Sequence, residues 1–285
     1  MPKVRRSVFL SLLLGVSVGV PAAHGQSRTI RGDRWLTIAA LSGSVEIVPY
    51  QGQRRQARIG DRLSHVGDVL ITGPDASVRL EVDLATGFVS MAQNSQLQIR
   101  TLSVTDTGGR ITELFVVQGQ VRLRIRPLTN PATRIEIYTP AGVSGVRGTE
   151  FGVTVGPDGQ TGVATLEGRV ISSAQGQTVS VDALQQTTTR VGEPPTPPAP
   201  LRDDPDLLIE ILSPLPDSRD EQGRALVQVA GYTDPANLLT VDYESQILSR
   251  NGRFEVTVPL PENRRISVSI TTPLGTNQQY ELVVP

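Results

Sequence analysis

Apolar and polar residues alternate with period two along most of this chain. The pattern runs through LTIAALSGSVEIVPY (36–50), GDVLITG (67–73), ASVRLEVDL (76–84) and SQLQIRTLSVT (95–105). It continues in ELFVVQGQVRLRIRP (113–127), TRIEIYTP (133–140) and TVSVDAL (178–184). Such alternation places every second side chain on one face of a strand. Val, Ile and Thr dominate these runs, and Gly, Pro, Asn or Asp break them every few residues, as strands and turns require. No segment keeps a helical period beyond two turns. The pattern predicts an all-β protein. GVRGTEFGVTV (145–155), followed by LEGRV (166–170), reads as a hairpin around a glycine-bearing bend.

A smaller pattern recurs inside the runs: an apolar residue, one spacer, Gly, another spacer, then Val. It occurs as LSGSV (41–45), VQGQV (117–121) and LEGRV (166–170). A glycine inside a strand marks a bulge or tight bend. Its unequal spacings exclude a short-period array and suggest related strand pairs stacked in one sheet system. The clearest boundary is GEPPTPPAP (192–200), followed by Asp203, Asp204, Pro205 and Asp206. The expected organisation is a β domain over 36–190, a proline-rich and acidic linker over 191–206, and a second β domain over 207–285. In the last, LLIEIL (207–212), ALVQVAGYT (225–233), LLTVDYE (238–244), FEVTVPL (254–260), ISVSITT (266–272) and YELVV (280–284) read as strands. That density suits an immunoglobulin-like sandwich, with Asn251-Gly252 as a two-residue hairpin turn.

Residues 1–25 read as a secretory signal. Lys3, Arg5 and Arg6 precede an apolar run from Val8 to Val20, and Ala23-His24-Gly25 offers small residues for cleavage before Gln26. The run has 13 residues, short of the ~20 a membrane-spanning helix needs. The expectation is export to the periplasm or cell surface, with no transmembrane segment left after cleavage. The 27 basic and 28 acidic residues give no surplus of positive charge, which disfavours nucleic-acid binding. Cysteine is absent, so disulfides, thiolate metal sites and a lipidated N-terminal cysteine are excluded. Aromatic residues make up only 4%, too few for a stacking platform or sugar cleft. After cleavage His65 is the one remaining histidine, and a turn histidine in solvent is the expected role. No zinc site or cofactor is expected, and the chain reads as non-enzymatic.

Three segments together resemble the FecR domain family over residues ~36–190. They are GDVLITGPDASVRLEV (67–82), the Asn94-Ser95 turn leading to ELFVVQGQVRLRI, and IYTPAGVSGVRGTEFGV followed by LEGRV. The resemblance implies a periplasmic all-β module, sandwich-like or solenoid-like. Members form the periplasmic half of membrane-spanning sigma-factor regulators that sense outer-membrane receptors, or accessory domains of other envelope proteins. This chain shows no cytoplasmic helical region before its apolar run, and its second domain resembles immunoglobulin-like modules through GYTDPANLLTVD and RNGRFEVTVPL. The expected role is therefore binding or scaffolding in the cell envelope. The alternative is a periplasmic signalling component related to FecR-type regulators.

Three sets of residues are candidates for function. Arg122, Arg124 and Arg126 alternate with Val121, Leu123 and Ile125, so their guanidinium groups share one strand face. Such a stripe suits an envelope protein or an anionic glycan or lipid. A solvated face with cross-strand acids is the plainer reading. Arg147, Gly148, Thr149 and Phe151 form the family motif, and a structural role is expected: Gly148 at a backbone angle closed to other residues, Thr149 bonding the bend, Phe151 in the core, and Arg147 tied to a carboxylate. Asp203, Asp204 and Asp206 offer oxygen ligands for calcium, against the reading of a solvated linker.

Overall fold

The computed structural model describes residues 34–83 and 86–285, and among them every regular element is a β-strand. The expected signal at 1–25 lies outside the described residues. The first block contains β1 (Leu36–Ser42), β2 (Val45–Val48), β3 (Arg55–Gln56), β4 (Arg62–Leu63), β5 (Val69–Thr72), β6 (Ser77–Val82), β7 (Gly87–Met91) and β8 (Gln96–Val104). It continues with β9 (Arg110–Ile125), β10 (Arg134–Tyr138), β11 (Val143–Val146), β12 (Glu150–Val155), β13 (Thr161–Glu167), β14 (Arg169–Ala174), β15 (Gln177–Asp182), β16 (Gln185–Thr189) and β17 (Ala199–Pro200).

These strands form two layers that share one long strand. The front layer runs β4, β1, β6, β7, β9, β12, β13, β16, β17. The back layer runs β3, β2, β5, β8, β9, β10, β11, β14, β15. The N-terminal half of β9 pairs in the back layer and its C-terminal half, from Gly119, in the front. All pairs are antiparallel except β9 with β10. Alternation turns one face of each strand inward, where Leu36, Ile38, Leu80, Leu114, Leu123, Phe151 and Val163 are fully buried. Each such side chain contributes about 1.5–3 kcal/mol of burial.

The recurring glycine pattern marks where the chain passes between layers. Gly43 joins β1 in front to β2 behind, Gly119 divides β9, and Gly168 joins β13 in front to β14 behind. All three have positive φ, +70°, +89° and +81°. At Gly119 a side chain would also run into Ser95. Ser95 Oγ accepts from the Gln120 amide (2.9 Å) and donates to the Gln120 carbonyl (3.2 Å), which holds the bend.

The bend at Gly148 is a fourth crossing, from β11 behind to β12 in front, rather than the turn of a hairpin. The hairpin is β12 with β13, closed by residues 156–160. Period-two alternation looks the same on both sides of a layer crossing and of a hairpin turn, so the sequence pattern merged the two.

The second block has seven strands: β18 (Leu208–Arg219), β19 (Ala225–Tyr232), β20 (Leu238–Val241), β21 (Glu244–Gln246), β22 (Arg253–Pro259), β23 (Arg265–Thr271) and β24 (Asn277–Val283). One sheet is ordered β18, β19, β22 and the other β21, β20, β23, β24. Both contribute to one core that includes Val229, Leu239, Phe254, Val268 and Ile270. An immunoglobulin-like module requires such a division. Asn251-Gly252 does not close a hairpin, because β21 and β22 belong to different sheets. It turns the chain from one sheet to the other, and Gly252 lies against the Thr233 carbonyl.

Both blocks lie within one compact unit. The segment expected to be a loose linker is extended but paired. Ala199 and Pro200 pair with β16, the Thr196 amide bonds the Thr188 carbonyl (2.9 Å), and the Leu201 amide bonds the Leu184 carbonyl (2.8 Å). Proline carries no N–H, so the segment covers the open edge of β16 without offering a new one.

Candidate functional site

The outer face of the front layer is where the second block sits. Side chains of the first block donate to acceptors of the second, Arg190 to the Leu248 carbonyl among them. Gln120 reaches the Pro273 carbonyl (2.7 Å), Arg122 the Leu274 carbonyl (3.1 Å) and Thr154 the Ala236 carbonyl (2.6 Å). Gln160 reaches the Pro235 carbonyl (2.7 Å), and Gln186 the Asp234 carboxylate (2.9 Å). Two strand glycines admit this approach. A side chain at Gly152 would collide with the Pro273 carbonyl, and one at Gly162 would come within 2.5 Å of the Ala236 carbonyl oxygen. These glycines, inside FGV and TGV, are the sequence signal that foretells the contact.

The arginine stripe lies along this interface. Arg122 donates to Glu150 through Nε (3.1 Å) and Nη2 (2.5 Å) besides its bond to Leu274. Arg124 lies 3.4 Å from the same carboxylate and is three-quarters exposed. Arg126 is exposed, and its backbone amide bonds the Thr86 carbonyl. The stripe is thus divided: Arg122 holds the second block in place, and Arg124 and Arg126 face outward beside it.

The family motif is a structural bend. Gly148 has φ +109°, and a side chain there would lie 2.6 Å from Pro127 Cα. Thr149 donates its hydroxyl to the Arg169 carbonyl (2.9 Å) and exchanges backbone hydrogen bonds with Ile125. Phe151 is fully buried. Arg147 differs from expectation: it donates to the Pro131 carbonyl, not to a carboxylate. The loop carrying Pro131 comes closer than any acid, which the local sequence does not disclose.

Ser64, His65 and Asp68 are close together yet cannot act as a nucleophile, base and orienting acid. The Ser64 hydroxyl (3.1 Å) and the Asp68 carboxylate (3.8 Å) both face His65 Nδ1, whereas a relay needs one partner on each ring nitrogen. Asp68 is instead a buried turn acceptor for the amides of Tyr50, Ser64 and His65. At the junction Asp203 accepts from the hydroxyls of Thr272 and Thr276. Among the described residues no group of three or more His, Asp or Glu is placed to hold a metal.

A further feature escaped the sequence reading: a buried ion pair between the start of β1 and the end of β6 that also reaches β8 and β9. Arg34 donates to Asp83 through Nε (3.1 Å) and Nη2 (2.6 Å), and to the Ser103 and Ile111 carbonyls and Thr112 Oγ1. Both side chains are less than a tenth exposed. Arg34 and Asp83 are 49 residues apart, so no local pattern pairs them.

The outer face of the back layer is uncovered by the second block. Across its middle run Phe115, Tyr138 and Val143, all half-buried, on β9, β10 and β11. Arg100 stacks on Tyr138, with Cζ 4.1 Å from the ring centroid. The Tyr138 hydroxyl donates to Glu136 (2.9 Å). Burial, and then this carboxylate, push the Tyr138 phenol above its ordinary value.

Residues 68–171 match the family model described as FecR protein, and the chain carries a FecR domain. The match begins at the Asp68 turn and ends in β14, so it covers the middle of both layers. No curated protein matches the chain. One solved structure is provisionally assigned as an anti-sigma factor from Parabacteroides distasonis; it aligns over 46% of this chain and 59% of its own length, at 13% identity and TM-score 0.38. A second, a polysaccharide lyase, covers 85% of this chain and 39% of its own, at 10% identity and TM-score 0.19. Both likenesses are too slight to speak for fold or activity.

Proposed function

We propose that this chain is a FecR-type signalling component of the cell envelope, acting by protein binding and not by catalysis. The observation that carries the reading is the FecR match across residues 68–171. The apolar run and cleavage site before Gln26 support export. In this reading a partner engages the FecR domain, and its bound state is relayed to a separate regulator.

A second reading is a rigid binding or scaffolding module. The bonds from Gln120, Arg122, Thr154, Gln160 and Gln186 into the second block favour it, because they fix the two blocks as one body. Transcript profiling separates the two. The native host is compared with a strain in which this locus is deleted. Signalling predicts a coherent change in one sigma-dependent gene set. An unchanged profile alongside a damaged envelope would leave scaffolding as the better account.

A further inference from the structure

Glycines in this fold have evident reasons, with one exception. Among the described residues each glycine either has positive φ or has another atom within about 3.5 Å of where a Cβ would stand, save Gly145. Gly145 lies within β11, outside the positive-φ set, and the nearest atom to its Cβ position is Glu136 Cγ at 3.9 Å. That is ordinary contact, so larger residues fit. Glycine inside a strand lowers stability, and where neither backbone nor packing calls for it, it marks close approach by something else.

Gly145 forms the floor of a hollow of about 440 Å³ on the uncovered back layer. Its register partners are Glu136 on β10 and Ile171 on β14. Val143 and Ile171 supply apolar walls, and Ile171 is 41% exposed, unusual for an isoleucine in mid-strand. Arg134, Arg147 and Arg169 stand around the rim. Arg134 is shared with Glu113 and Glu136, and Arg169 with Asp182. Arg147 is exposed and bonds a backbone carbonyl, so no carboxylate among the described residues neutralises it.

We propose that this hollow seats an apolar side chain of a partner protein, carried on an acidic segment whose carboxylate reaches Arg147. The inference rests on the reading that the FecR domain acts by binding, and it names the surface and the partner's chemistry. Size favours a single large side chain as anchor. The unbalanced guanidinium selects an acidic neighbour. The half-buried Phe115 and Tyr138, with Arg100, extend the face in the manner of a protein interface rich in aromatics and arginine.

The test is an NMR titration of the mature chain with three probes: acetyl-Glu-Phe-Glu-amide, acetyl-Lys-Phe-Lys-amide and octanoate. The proposal expects the acidic peptide to shift the Gly145, Ile171 and Arg147 amides, and the basic peptide to act at least tenfold more weakly. Gly145→Val should abolish the shifts while leaving the melting temperature equal or higher. Arg147→Gln should weaken binding of the acidic peptide at least tenfold, and Arg124→Gln on the front layer should not. A melting temperature lowered by several degrees in Gly145→Val would mean that the glycine is structural, and the proposal fails. Equal binding of both peptides, no shift at Gly145, or tighter binding of octanoate would each overturn it. An envelope partner captured equally by wild type and Gly145→Val would sink this inference and spare the proposed function, whereas no partner captured by wild type would sink the latter.

Discussion

At Gly148 and Gly119 the fold depends on single residues. Valine at Gly148 would meet a forbidden backbone angle and displace Pro127, a combined cost of about 3 kcal/mol or more. In a chain of this size that lowers the melting temperature by on the order of 10 °C, readable by calorimetry. Asp83→Asn should be as severe, roughly 3–5 kcal/mol in a denaturant titration, because it leaves Arg34 buried without its counter-charge. Loss of less than 1 kcal/mol would show that Asp83 is dispensable there. The glycines of LSGSV, VQGQV and LEGRV were legible as bends because their repetition is local. The Arg34–Asp83 pair was not, since tertiary packing alone brings it together.

Two tyrosines offer a titration test at the same scale. Burial raises the phenols of both Tyr138 and Tyr280 above the usual value near 10, with Glu136 adding to the first and Asp206 and Asp204 to the second. A raised value in the folded state means the neutral phenol is the better held form. The associated stability is therefore present below pH 10 and lost as pH rises through the folded-state value. Absorbance near 295 nm should show a late-ionising fraction. Tyr138→Phe and Tyr280→Phe should each remove part of it; no change in either variant would contradict the assignment.

Among elements, the instructive pair is the proline-rich segment and the front-layer strands it covers. Composition disclosed that residues 192–200 are extended. It did not disclose that Thr196, Ala199 and Leu201 pair along β16, because edge pairing depends on where that strand ends in the sheet. Strand positions were legible for the same reason that hairpins and layer crossings were confused: period two fixes which residues face inward but not which layer follows. The docking of the second block predicts that Gly152→Val separates the blocks without unfolding either core. Limited proteolysis should then cut at Arg190 or Arg202 in the variant, while wild type resists there. Equal resistance would mean that Gly152 does not govern the contact.

Taken as a whole molecule, the chain has two broad sheet faces with different fates. The second block occupies the central strands of the front, including the start of the arginine stripe at Arg122. The back keeps Tyr138, Val143 and Ile171 accessible around an unfilled glycine. The front face, which alternating arginines mark in the sequence, is partly used for internal contact. The back-layer hollow was not legible, since Arg169 and Ile171 come from β14, which follows the β12–β13 hairpin and joins the β10–β11 hairpin only by pairing.

The central claim is that a partner protein is received on the back layer. A photo-reactive amino acid placed at Ile171 on the back, or at Arg79 on the front, tests it in the native envelope. The account predicts a discrete higher-mass adduct from Ile171, lost when Gly145→Val is added, and none from Arg79. An adduct from Arg79 alone, or an Ile171 adduct indifferent to Gly145→Val, would contradict it.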